Sequence, residues 1–343
     1  MKNCLWIVLF SSLILSSPYA LWAEISVSEA TTECMDCHME IHPGIVQDWQ
    51  NSRHAKTTPK KAAMVKGLAN KLSSKTIPEE LQGTAVGCAE CHMLRPQAHA
   101  DTVDHNGYDI HVVVSPDDCG TCHSQERSQY DQNPMSHAYG NLASNALFQK
   151  LEKTINGTPE RANGRIVHKP ANAATQAETC YYCHGTRLEV TGLETRDTDL
   201  AGELEFPKIA GWPNHGVGRI NLDGSKGACS PCHARHQFSI EMARKPYTCK
   251  ECHIGPDVPA FKVYSASKHG NIFATFHDQW DFEKVPWTIG QDFTAPTCAA
   301  CHISLLVNSD NEMVVKRTHQ MTDRLSWRLF GLVYAHPQPK GPD

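Results

Sequence analysis

The five-residue pattern C-x-x-C-H punctuates this chain seven times, and no other feature limits its fold as strongly. The cysteine pairs are Cys34/Cys37, Cys88/Cys91, Cys119/Cys122, Cys180/Cys183, Cys229/Cys232, Cys249/Cys252 and Cys298/Cys301. The residues that follow them are His38, His92, His123, His184, His233, His253 and His302. Paired cysteines in an exported chain would suit a disulfide framework, and C-x-x-C pairs would also suit structural zinc. Neither explains a histidine in the next position every time, when only about one residue in seventeen is histidine. Covalent haem c does: the two thiols add to the porphyrin vinyl groups and the adjacent imidazole binds the iron. Seven covalently attached haem c groups are therefore predicted.

One macrocycle for every 45 residues or so leaves little room for a conventional core, and long apolar strand or helix runs are missing. The expected fold is mainly α: a multihaem cytochrome c with short helices and long loops packed around covalently bound haems, and little sheet. Thr76-Ile77-Pro78-Glu79 has capping-box spacing with proline near the first turn. Helical apolar spacing also marks Ala146 to Ile155 and Asp323 to Leu332, whose apolar faces are expected to pack on haem. Asn156-Gly157-Thr158-Pro159 and Asn221 to Ser225 read as loops, and a helix from about His236 to Arg244, ended by Pro246, is expected between the fifth and sixth motifs.

Lys2, the apolar run from Leu5 to Leu15 and the small residues Ala20 and Ala23 have the layout of a secretory signal peptide. Residues 1–23 are expected to be removed, taking Cys4 with them, and 24–343 to form one multihaem domain in the periplasm or another extracytoplasmic compartment. No transmembrane segment is expected in the mature chain. The formal charge of −5 becomes −6 without Lys2, which argues against nucleic acid and is compatible with a basic electron-carrier partner.

Thirteen histidines lie outside the motifs and could close irons from the distal side. His54, His137 and His269 sit beside small residues that would let a macrocycle approach. His236 cannot serve the same haem as His233 but could serve a neighbour. His105, His111 and His336 complete the distal candidates. Trp49, Trp212, Trp280, Trp287 and Trp327 are expected to pack rather than to relay electrons.

The text CSPCHARHQFSIEMARKPYTCKECHIGPDVPAFKVYSASKHGN, then DFTAPTCAACH and DRLSWRLFGLVYAHPQP, resembles hydroxylamine oxidoreductase, an octahaem cytochrome c family. DWQNSRHA, CYYCHGT and GWPNHGVGR agree with it. The resemblance implies a mainly helical, homo-oligomeric (trimeric) subunit whose fourth motif carries the catalytic haem, with His184 as its proximal ligand. His215 then aligns with a catalytic base and Asn214 with the family's acidic neighbour, which asparagine cannot replace as a proton acceptor. The substrate implied is hydroxylamine or nitrite, and the redox partner a cytochrome or a quinol-linked donor. The family's eighth motif and C-terminal helical region have no counterpart here, so the chain reads as C-terminally truncated. Hydroxylamine oxidation, nitrite or hydroxylamine reduction, and non-catalytic electron transfer with every iron closed all remain open at this level.

Overall fold

The computed structural model describes residues 25–255 and 258–324. The signal segment 1–23, His336, Trp327 and all but the start of the expected 323–332 helix lie outside them.

The chain is mainly helical, and its helices are short. Two run consecutively near the start: α1 (Glu29–Ile41) is capped by the Ser28 hydroxyl, which accepts from Thr31 N, and α2 (Pro43–Asn51) has proline in its first turn. The motifs themselves make helical turns, seen as the five-residue helices Cys88–His92, Cys180–His184 and Cys298–His302. Where no full helix forms, one turn survives: His123, His233 and His253 N each donate to the carbonyl of the first motif cysteine, at 2.9, 3.0 and 2.8 Å. That turn brings positions i, i+3 and i+4 to one side, so both thiols and the imidazole face a common macrocycle.

Among the described residues, strands occur in four small sheets. β1 (Val103–His105) and β2 (Tyr108–Ile110) form a hairpin, as do β3 (Thr158–Ala162) and β4 (Arg165–Lys169). β5 (Glu189–Thr198) and β6 (Gly202–Ala210) make a longer antiparallel arm, and β7 (Trp287–Thr288), β8 (Leu306–Val307) and β9 (Met313–Val315) a three-stranded patch. The longer arm exceeds the sheet expected, and β3 begins inside the segment read as a loop. Thr158 there pairs with Lys169 across the hairpin, which a local reading of Asn-Gly-Thr-Pro does not register.

Other local expectations are also adjusted. The Glu79–Gln82 helix forms, but Pro78 takes the cap position and Thr76 makes no capping box. Between the fifth and sixth motifs the helix spans only Ile240–Arg244, because Ser239 caps it and Phe238 has a positive φ of 49°. Pro246 then opens a second helix, Pro246–Lys250, as a first-turn residue. The Ala146–Asn156 helix matches its expected span, with Leu147, Leu151 and Ile155 on an exposed face.

Among the described residues one conventional apolar cluster stands out, built from Phe273, Trp280, Phe282, Trp287, Phe293, Ala295, Ala300 and Leu306. Trp287 is fully buried at its centre, and the Arg244 guanidinium lies 4.5 Å from its ring centroid. Trp49 is buried as well and donates to Val86 O. Elsewhere the close contacts are between motif segments: Thr31 of α1 meets Gly87 so tightly that a β-carbon there would lie 2.5 Å from Thr31 Cγ2. Glycine thus lets the first and second motif helices touch.

Candidate functional site

The fourteen cysteines expected to attach haem are alike in the sequence, but the structure does not treat them alike. Thirteen are half-buried, whereas Cys37 is exposed. It shares the outer side of α1 with Glu33 and Glu40, one helical turn to either side and exposed as well. The letters C-M-D-C-H do not register this difference in exposure of the protein surface. Cys301, the second thiol of the seventh motif, is half-buried in the Cys298–His302 helix, where its backbone N donates to Thr297 O at 3.3 Å. It lies beside Tyr264, whose phenol burial pushes up. The seventh site is thus walled by the apolar cluster, unlike the first.

Haem c needs more than thiols and one imidazole. The outer nitrogen of the proximal ring must carry its proton and be held, so that Nε2 is aimed at the iron. His92 Nδ1 donates to His111 O at 2.7 Å. His123 and His233 likewise bond backbone carbonyls, those of Lys71 and Ser239. His38 differs, since its Nδ1 lies 3.0 Å from His42 Nδ1.

A distal ligand must then face each ring across the iron. Taking about 2 Å for each metal–imidazole bond, two axial rings should have centroids roughly 6 Å apart. His105 lies 6.2 Å from His38, His54 lies 6.4 Å from His123, and His319 lies 6.4 Å from His233. Burial is the first cause that pushes His54, His233 and His319 down to about 4, so these rings are neutral and keep a lone pair for metal. The residues therefore fit the group. His319 escaped the sequence reading because Arg317-Thr318 and Gln320 around it give no small-residue signal.

The remaining candidates are placed differently. His236 is close enough to His92 to feel its charge, as expected of a residue serving a neighbouring motif. His137 Nε2 donates to Asp131 O at 2.7 Å, which leaves only Nδ1 for a ligand. His269 is the second residue of the Lys268–Phe276 helix. His111 does not fit a distal role although its centroid is 6.1 Å from His92. Its Nε2 donates to Leu94 O at 2.9 Å and its ring is stacked on His99 at 3.7 Å, so the nitrogen that would ligate is already committed.

Contacts between motifs order the haem sites. The sulfurs of Cys119 and Cys229 lie side by side, as do those of Cys183 and Cys252 and those of Cys249 and Cys298. Cys34 also lies near Cys88, Cys122 near Cys91, and Cys232 near Cys252. The series thus runs from the first motif through the second, third and fifth to the sixth, where the fourth and seventh also join. The closely spaced fifth and sixth motifs are the junction of this network.

The fourth motif has its own surroundings. Asn214 Nδ2 donates to Tyr181 O at 2.8 Å while its Oδ1 accepts from Gly216 N, so the side chain ties the 214–218 segment to the motif. The approach is backbone against backbone: a β-carbon on Gly216 would lie 2.1 Å from Gly185 N, and one on Gly218 2.6 Å from His184 O. His215 follows from this placement. Its Nε2 lies 2.5 Å from Arg235 Nη2, and since guanidinium only donates, Nε2 is the acceptor. Burial, then Arg235 and Arg219, push His215 down to about 4. Both guanidiniums lie over Trp212, at 5.2 Å for Arg235 and 5.8 Å for Arg219. Arg219 is buried and bonds only neutral acceptors: Asn221 Oδ1, Asn214 O and Val114 O. Neither arginine forms an ion pair with a carboxylate among the described residues.

A second polar cluster lies between the second and third motifs. His99, His111 and Asp118 offer ligand atoms within 4.8 Å of one another. They do not suit a cation. The two rings are cofacial at 3.7 Å and 5°, so their lone pairs run parallel, and Arg95 Nη2 already sits 2.5 Å from Asp118. The group is a buried ion cluster in which Asp118 also accepts from Ser115 N and closes the capping box of the Pro116–Gly120 helix, which carries Cys119.

Comparison with known proteins agrees with this geometry. A family model described as "Seven times multi-haem cytochrome CxxCH" matches residues 216–327, and one described as "Cytochrome c554 and c-prime" matches 28–108 and 118–203. A solved structure titled "Hypothetical multiheme protein" superposes with a TM-score of 0.83 at 44% identity, over 93% of this chain and 61% of that one. The "Probable nitrite reductase-hydroxylamine oxidoreductase fusion protein" of Kuenenia stuttgartiensis is 27% identical over 82% of this chain. The chain spans about a quarter of that relative's length, 26%. The fold is that of a multihaem cytochrome c, and the motifs carry covalently bound haem c. Among the described residues no helix is long and apolar enough to cross a membrane.

Proposed function

We propose that the chain is an exported seven-haem oxidoreductase that takes an anionic nitrogen oxide, nitrite foremost, at the haem of Cys180–His184 and reduces it with electrons drawn through the other motifs. The observation that carries this reading is the charge around His215. Arg219 and Arg235 bring two positive charges to a partly desolvated site with no carboxylate in ion-pair contact among the described residues, Asp223 acting on Arg219 only from a distance. Such cations are costly to leave uncompensated, and the guanidinium fork suits a planar oxyanion. Haem held by Cys180, Cys183 and His184 would supply the iron and pass on the donor's electrons; the chain supplies orientation and charge. Asn214 fixes the 214–218 segment, and Arg235 presents donors beside His215.

Hydroxylamine oxidation is the second reading. It is supported by the sequence resemblance and by the name of the Kuenenia relative. Oxidation of a neutral N–H substrate needs a proton acceptor beside the iron. Here Asn214 has no basicity, and the His215 lone pair accepts from Arg235, which favours the reductive direction.

Optical and electron paramagnetic resonance titration of the holoprotein with nitrite and with hydroxylamine tests this. Nitrite is expected to perturb one haem, and reduced dye plus nitrite to yield ammonia. Arg235→Gln is expected to weaken nitrite binding about tenfold, the loss of a charge-assisted hydrogen bond, and to leave hydroxylamine within roughly a factor of two. Equal weakening of both ligands would assign Arg235 to a haem propionate instead. A wild-type protein whose irons are all low-spin and bind neither ligand would be an electron conduit.

The same reading includes a homo-oligomer, trimeric by resemblance, and a cytochrome or quinol-linked donor. Glu29, Glu33, Asp36 and Glu40 are exposed along one side of α1 beside the first motif, which suits a basic carrier. Reversing Asp36 and Glu40 to lysine is expected to slow exchange with a basic cytochrome about tenfold at low salt, with a neutral dye unaffected. Equal rates for both donors would move the port elsewhere.

A further inference from the structure

We propose that His42 is a positioning residue for the first haem, accepting the Nδ1 proton of His38 and holding that haem's reduction potential below the value a backbone carbonyl would set. The inference rests on the haem reading of the first motif and not on the substrate.

His92 gives its outer nitrogen, Nδ1, to a main-chain carbonyl, and His123 and His233 also bond main-chain carbonyls. His38 gives its own to a side chain, with Nδ1 of His42 at 3.0 Å. The direction of the bond follows from ligation. Iron needs the His38 Nε2 lone pair, so the neutral ring carries hydrogen on Nδ1, and His42 must offer the lone pair of its own Nδ1. An imidazole nitrogen is a stronger base than an amide oxygen. The proton is therefore drawn further from His38, which becomes the more electron-rich ligand and favours ferric iron.

The geometry is built into the chain. His42 is the C-cap of α1, one turn beyond His38, and its backbone N donates to His38 O at 2.8 Å. Pro43 follows at the first position of α2, so the cap residue is fixed from both sides. The rings lie edge to edge, with centroids 5.1 Å apart and planes 22° from parallel. His105 stands at axial spacing from His38, 6.2 Å away, so His42 is not needed as the distal ligand of this haem. An unrelated surface histidine would have no reason to meet the proximal ligand nitrogen to nitrogen.

The test is a potentiometric titration of the holoprotein, followed by absorbance and electron paramagnetic resonance, for wild type, His42→Ala and His42→Gln. His42→Ala is expected to favour reduction of one haem component about tenfold, about 59 mV for a one-electron couple, with the others unmoved. His42→Gln keeps an acceptor oxygen and is expected to restore part of the shift. An alanine variant whose components all coincide with wild type overturns the proposal. So does a shift shared by every component, or an equal shift in both variants, because a general packing defect would give either.

Discussion

Replacing His319 with alanine is expected to turn the haem at His233 from low-spin to high-spin. The two rings are 6.4 Å apart and inclined by only 28°, the spacing of two imidazoles across one iron. His319 is held on both sides of its ring by main-chain bonds: its N donates to Gln129 Oε1 and its O accepts from Asn133 Nδ2, at 2.9 and 2.8 Å. Burial keeps it neutral, with the charge of His233 acting in the same direction. Removing the side chain leaves His233 oriented by Ser239 O but the opposite face open. Electron paramagnetic resonance of the oxidised protein should then show one additional high-spin haem. His319→Met should stay low-spin at a raised potential, since thioether replaces imidazole. An alanine variant with an unchanged spectrum would remove His319 from the ligand set.

The largest loss of stability is expected from Asp118→Asn. The carboxylate is buried, bonds Arg95 at 2.5 and 2.9 Å and His99 at 3.2 Å, and accepts from Ser115 N at 2.7 Å. Asparagine would leave a buried histidine and a half-buried arginine short of their counter-charge and weaken the cap of the helix that carries Cys119. Removing one partner of a buried ion pair costs about 3–5 kcal/mol. A denaturant titration checks this, and a loss well under about 1 kcal/mol would mean that Arg95 and Asp223 compensate.

The pH dependence of the same cluster has a definite sign. Burial works against charge on Asp118, but the bonds from His99, Ser115 N and Arg95 outweigh it and hold the carboxyl below its usual range. Its contribution is present above the ordinary carboxylate value and is lost as pH falls through the depressed one. Burial also opposes charge on His99, and the bond and charge of Asp118 outweigh it and raise the imidazole. That contribution is present below the ordinary histidine value and is lost as pH rises through the raised one. Stability from the cluster should therefore peak between the two, and the dependence should vanish in Asp118→Asn.

Much of the haem chemistry was legible in the sequence because attachment is local: one helical turn brings C-x-x-C-H to a single side. How each motif packs against the rest of the chain was not legible, since Cys37 is exposed and Cys301 half-buried within the same five-letter pattern. Locality also made the Ala146–Asn156 helix readable from its spacing. The short helix before Pro246 was overextended because its boundary depends on Phe238, whose positive φ leaves no mark in the letters. Distal ligation was legible only in part. His54 and His105 face attachment rings, whereas His111, chemically identical, spends its Nε2 on Leu94 O. His319 faces a ring from 86 positions away in sequence, and no local pattern encodes that distance.

By itself, the sequence determined the cofactor and the face of each attachment turn, since both depend on residues within four positions of one another. Only the tertiary structure decided which imidazoles oppose, which motifs touch, and that His215 lies against Arg235 rather than open to a proton. Those facts depend on segments meeting across the chain. At Gly185, Gly216 and Gly218 they depend on backbones approaching closer than any side chain allows.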